Sequence, residues 1–245
     1  MRPAHMSPQI KLDSIQPAVI EFPKDGVYRI ARKSSLLKIP GAVPPKDFSN
    51  ISKEDFNSQQ GNRFDLTDEG ILYCASEIKG SLMEVLAKFR VRKELGNRLR
   101  ELNSENFMAP GSVPAAWRMD RQIWKVTCQN PLYFFDLSSS ESFSYLDANV
   151  GDLLLEAGLN EKLDVSIVRG SNRNFTRIIS DWVSKAVDEK GDYLYSGIRY
   201  LSRHGEYECW AIFEKSDPIL ESISYISEAS EEVLDVAKTY GLKIY

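Results

Sequence analysis

The run Gly70-Ile71-Leu72-Tyr73-Cys74-Ala75 passes through Ser76 into Glu77-Ile78-Lys79-Gly80-Ser81-Leu82-Met83-Glu84-Val85-Leu86. Its first half is short, apolar and bounded by glycine, and reads as a buried strand. Its second half changes period. Ile78, Leu82, Val85, Leu86 and Phe89 recur at helical spacing, which predicts a helix over 77–95 with one apolar face and Ser76 as its N-cap. Glu77, Ser81, Glu84 and Lys88 form an adjoining stripe, so Glu84 borders the buried face. Gly80 in mid-helix costs about 1 kcal/mol relative to Ala. It implies close approach by backbone or ligand, or close helix packing.

Working outward, strands are predicted over 27–31 after the turn Lys24-Asp25-Gly26, over 121–128 and 132–137 around Gln129-Asn130-Pro131, and over 219–226. A hairpin is predicted from 197–201 and 208–213, with His204-Gly205 in its turn. Helices are predicted over 142–159, 174–187 and 230–240, the last closed by Gly241. Pro40, Pro44 and Pro45 break the chain, 47–61 reads as a polar loop with a helical turn, and 103–114 reads as a loop. Strands and helices mix without a βαβ rhythm, so the fold class is α+β with a split, mostly antiparallel sheet. No GxGxxG or GxxxxGK[ST] motif occurs, which argues against Rossmann and P-loop nucleotide sites.

The chain has 245 residues and a net charge of −4. That suits one domain, 21–245, with a helical insert around 96–190, preceded over 1–20 by an N-terminal tail or a tag remnant. Direct nucleic-acid binding is not expected, since the basic stripe Lys88, Arg90, Arg92, Lys93, Arg98 and Arg100 reads as a solvated or partner face. Cys74, Cys128 and Cys209 lie in apolar runs and read as free thiols of a reducing compartment. No membrane span or signal core is present, so cytoplasmic residence is expected. With only two histidines, His5 and His204, a His-based metal site is excluded and no metal is expected. Chemistry must run on carboxylate, guanidinium, hydroxyl and aromatic groups.

Such groups cluster at strand ends. Arg29 sits mid-strand and either pairs with a carboxylate or forks a pyrophosphate. Arg63 follows the turn Gly61-Asn62, as a surface arginine or a ligand contact. Tyr73 either packs in the core or stacks on a heterocycle. Glu84 either pairs with Lys88 at i+4 or acts as the catalytic carboxylate. Ser202, after Tyr200, is a turn residue or an orienting hydroxyl, being a weak nucleophile without a positioned base. The aromatic residues Trp117, Trp124, Tyr133 and Phe134 are candidates for a partner surface.

Taken in order, Tyr28-Arg29, Gly61-Asn62-Arg63-Phe64, Leu72-Tyr73-Cys74-Ala75, Ser81-Leu82-Met83-Glu84 and Gly197-Ile198-Arg199-Tyr200-Leu201-Ser202-Arg203 with Ala211-Ile212-Phe213 resemble the RES domain family. Ser81 stands where that family commonly has alanine. The resemblance implies an ADP-ribosyltransferase-like fold with NAD as substrate. It implies breakdown of NAD by hydrolysis or phosphorolysis, or ADP-ribosyl transfer in some members. Many such proteins are toxins neutralised by an Xre-like helix-turn-helix antitoxin, so that partner is expected. The insert is also a candidate homodimer contact. By the same resemblance Glu84 stabilises the ribosyl cation, Arg29 and Arg63 hold pyrophosphate, Tyr73 and Tyr200 line the NAD site, and Ser202 hydrogen-bonds the ribose or the amide.

Overall fold

The computed structural model describes residues 15–34, 61–92, 94, 98, 109–128 and 131–245. The expectations for the tail over 1–14, the proline break, the loop over 47–60, the helix end at Lys93 and Leu95, the loop over 103–108 and the turn residues Gln129 and Asn130 lie outside the described residues.

Ten strands are described: β1 (Val19–Glu21), β2 (Val27–Arg32), β3 (Ile71–Ala75), β4 (Ser112–Val113), β5 (Arg121–Thr127), β6 (Tyr133–Asp136), β7 (Gly197–Leu201), β8 (Glu208–Phe213), β9 (Ile219–Tyr225) and β10 (Lys243–Ile244). The helices are α1 (Ile78–Leu86), α2 (Ala115–Met119), α3 (Ser140–Glu156), α4 (Val165–Arg169), α5 (Arg173–Lys185) and α6 (Glu231–Tyr240). Eight strands form one sheet in the order β1-β6-β7-β8-β3-β2-β5-β9. Every neighbouring pair is antiparallel except β6 with β7. The fold is therefore α+β, with a mostly antiparallel sheet and flanking helices.

The sheet divides at its middle. β3 matches β8 over five residue pairs and β2 matches β5 over six, but β2 and β3 meet only at Tyr28 and Ala75. Both faces of the central strands are covered, so β7 and β8 read as continuous apolar runs. Phe135, Ala211 and Phe213 pack with α3 and α5, while their neighbours Phe134, Trp210 and Ile212 pack on the opposite face. Gly197 is required there, because a Cβ would lie inside contact distance of Ala211 O and the Phe134 ring.

Four readings need correction. The helix over 77–95 is interrupted: it is α-helical from Ile78 to Leu86, a 3₁₀ turn (Ala87–Phe89) follows, the chain is extended at Arg90, and Glu94 is helical again. Beyond Phe89, whose ring packs edge-on against Trp117, the next apolar side chain, Val91, is exposed. Ser76 is not the cap: Glu77 holds that position without a side-chain bond. The Ser76 hydroxyl instead accepts from the buried Trp210 indole (2.8 Å) and donates to Glu208 (3.0 Å), since a buried indole N–H needs a partner. The stretch 96–190 carries α2 to α5 but also β5 and β6, so it supplies part of the sheet. Of the four aromatics suggested for a partner surface, Trp124 and Phe134 are buried and Trp117 is half-buried; only Tyr133 is exposed.

Candidate active site

The turn carrying Arg63 is built by its neighbours. Gly61 adopts φ +79°, a left-handed value that favours glycine. Asp65 closes the turn, accepting from Asn62 N (2.6 Å) and from the Tyr73 hydroxyl (2.8 Å), and that hydroxyl accepts from Phe64 N (3.0 Å). Helix α5 then grips four consecutive carbonyls. Arg173 donates to Gly61 O and Arg177 to Asn62 O (3.2 Å). Thr176 donates to Arg63 O (2.6 Å) and Ser180 to Phe64 O (2.8 Å). The Phe64 ring lies 4.6 Å from that of Tyr200, and the Arg63 guanidinium sits 5.8 Å from the Tyr200 ring, within cation–π range.

Arg29 lies where β2 and β3 part. Its Nη1 donates to Tyr73 O (3.0 Å). Arg29 Nε and Arg63 Nη1 are buried and have no hydrogen-bond partner among the described residues. Burial lowers the pKa of both arginines, for Arg63 against the opposing pull of Tyr200 and Glu84. A planar guanidinium fork suits a phosphate oxygen wherever its edge reaches a ligand. Ser81 donates to Tyr28 O (2.6 Å), tying α1 to β2 beside the divide. Gly80 answers to close packing: a Cβ there would meet Ala75 and Tyr207 at 3.2 Å.

Glu84 faces the space between these groups. No ion pair joins it to Lys88, whose ammonium lies 5.1 Å from the Phe89 ring and 5.7 Å from that of Trp117. Instead the Ser202 hydroxyl donates to Glu84 Oε1, and the same hydroxyl accepts from His204 N (2.9 Å). Ser202 is 1% exposed, so it reaches the cavity through Glu84. The Cys209 thiol is 3.8 Å from Oε1, and His204 Nε2 is 3.9 Å from Oε2. Burial, then the Glu84 charge, pushes the Cys209 thiol well up, and burial lifts Cys74 to about 12, so neither is a thiolate nucleophile.

A cavity of ≈ 560 Å³ joins these elements, within the usual range of ligand sites. Five of the expected residues, Arg29, Arg63, Tyr73, Glu84 and Tyr200, line it, and Ser202 lies behind them. Arg29, Arg63, Lys88, Arg173 and Arg203 contribute cationic charge, with Glu84 as the carboxylate among the lining residues. Such a chamber attracts an anion and places one negative group against developing positive charge. Among the described residues no group of three His, Cys, Asp or Glu side chains could hold a metal ion.

Sequence reasoning missed Asp65, Arg173, Thr176, Arg177 and Ser180. Asp65 had a local signal, closing a turn three residues beyond Asn62. The α5 residues had none, because their partners are main-chain carbonyls more than a hundred positions away. Arg203 and His204 were read only as turn residues.

A family model described as "RES domain" matches residues 27–235. No curated protein matches the chain. Among solved structures, a chain of the crystal structure of the M. tuberculosis MbcT-MbcA toxin-antitoxin complex is similar over 84% of this chain and 85% of that chain, at 9% identity and a TM-score of 0.38. A likeness at that level carries no functional argument.

Proposed function

Because the chain belongs to the RES domain family, we propose that it degrades NAD by cleaving the nicotinamide–ribose bond, by hydrolysis or phosphorolysis. One observation carries the reading. The Glu84 carboxylate, held by Ser202, faces a cavity that Arg29 and Arg63 also line, and among the described residues neither arginine is ion-paired with it.

Nicotinamide leaves NAD as a neutral base, so the barrier lies in forming a ribosyl oxocarbenium ion. That cation calls for a fixed carboxylate, not a metal. Arg29 and Arg63 clasp the pyrophosphate. The rings of Tyr73 and Tyr200 form walls, the Tyr73 hydroxyl being engaged by Asp65 and Phe64 N. Glu84 faces the anomeric carbon, and Ser202 fixes its orientation. A purely structural role for the cluster would pair Arg29 or Arg63 with Glu84, and neither ion pair is present among the described residues. Family membership further supports a toxin acting in the cytoplasm and neutralised by an Xre-like antitoxin.

The test incubates purified protein with NAD, with and without phosphate, and identifies products by mass. ADP-ribose signals hydrolysis, ADP-ribose-1″-phosphate signals phosphorolysis, and mass added to protein signals transfer. Glu84→Gln is expected to lower kcat by about 10²–10³. Intact NAD after incubation with the wild-type protein would refute the reading.

A further inference from the structure

His204 stands beside the Glu84 carboxylate at the cavity wall, and the reaction above gives it no task. Its placement is tightly set. One hydroxyl, that of Ser202, accepts from the His204 main chain and donates to Glu84 Oε1, so imidazole and carboxylate share one anchor. Oε1 is thereby engaged, while Oε2 faces His204 Nε2 at 3.9 Å. That separation is too long for a direct hydrogen bond, yet one water can donate a hydrogen to each acceptor. Its lone pairs then point away from both groups.

We propose that His204 is a further catalytic residue, accepting the proton of the water that attacks the ribosyl carbon in hydrolysis. This rests on the NAD-cleaving reading of the same cavity. The bond from the anomeric carbon to nicotinamide breaks with its electron pair going to the ring nitrogen. The water oxygen forms the new bond to carbon, and one of its protons passes to Nε2. The products are ADP-ribose, neutral nicotinamide and an imidazolium that later releases its proton to solvent. Glu84 suits this transfer less well, because a proton on it would cancel the charge that faces the cation.

The surroundings keep the imidazole in its base form. Burial lowers its pKa from 6.5; Glu84 on α1 pulls the other way, while Arg203 on the hairpin, Arg90 after the 3₁₀ turn and Arg63 on its turn reinforce the lowering. A phosphate dianion attacking in place of water does so through an oxygen that carries no proton, and needs no such base.

The test follows ADP-ribose formation from NAD between pH 5 and 8 in phosphate-free buffer, for wild type, His204→Gln and His204→Ala. Wild-type hydrolysis should hold from pH 8 down to 6.5 and decline only in more acid solution, because the imidazole's pKa lies below 6.5. His204→Gln should keep the NAD-dependent thermal shift and form ADP-ribose about 10²-fold slower. It should lose the fall below pH 6.5, and with phosphate present its products should shift toward ADP-ribose-1″-phosphate. Added imidazole should restore part of the His204→Ala rate. A His204→Gln protein with wild-type rate and pH dependence overturns the assignment, as does a wild-type enzyme that forms product only with phosphate. Should the variants fail to fold, a wild-type hydrolysis rate that rises as pH falls from 8 to 5 overturns it alone, since a base gains nothing from acid. Complete inactivity of wild type toward NAD in both buffers would instead overturn the proposed function itself.

Discussion

The Ser202 hydroxyl donates its proton to Glu84 Oε1, joining a strand end and a helix that lie 118 positions apart. A hydrogen bond to a charged group contributes about 1.5–3 kcal/mol. At about 1.4 kcal/mol per tenfold, Ser202→Ala should lower kcat by roughly 10–100-fold with little change in KM. Steady-state NAD turnover checks this, and wild-type kcat in the variant would show that Glu84 needs no such anchor.

Tyr73→Phe removes a hydroxyl that Asp65 and Phe64 N both use. Unpairing such groups costs about 1–3 kcal/mol, which for a chain this size is a fall in Tm of very roughly 2–12 °C. The turn carrying Arg63 loosens, so KM should rise while kcat changes little. An unchanged Tm with a collapsed kcat would instead place the hydroxyl on the substrate.

Arg63→Leu deletes a buried nitrogen that lacks a partner among the described residues, together with a cation–π contact. These effects on folding oppose each other, so the unliganded Tm should hold or rise. NAD at 100 times the wild-type Kd should stabilise the wild type by about 2.7 kcal/mol and the variant hardly at all. Thermal melts with and without NAD decide it; an equal ligand shift in both proteins would remove Arg63 from the site.

Acid should weaken the fold through Glu208. Burial opposes its charge, but the bond to Arg199 and that guanidinium's charge outweigh burial and hold its carboxyl below 4.5. Its contribution is in place above pH 4.5 and drains away as pH falls through the lower folded value. Glu208→Gln should therefore be less stable than wild type at pH 7, and the gap should close in acid. Denaturant melts at pH 7 and pH 3 measure it, and a gap independent of pH would show that the ion pair does not link proton binding to folding.

Local periodicity made most elements legible. The apolar runs of β7 and β8 and the apolar stripe of α1 are properties of neighbouring residues, and burial follows them directly. Glu84 was legible for the same reason, since its stripe adjoins the buried face. The position of Arg29 was not, because the divide between β2 and β3 arises from pairings across half the chain. Ser76 was misread because its cap pattern is local, while the Trp210 indole that claims its hydroxyl comes from a distant strand. His204 was legible only as a loop residue, its meaning depending on the hairpin's approach to α1.

Because α5 holds the Arg63 turn by main-chain oxygens, the frame depends little on residue 62, whose exposed side chain adds one bond, to Asp65 Oδ1 (3.3 Å). Ligand preference at that mouth can thus be retuned by single replacements at 62 or 63 while the surrounding scaffold stays put, which makes the turn a natural place to engineer altered selectivity.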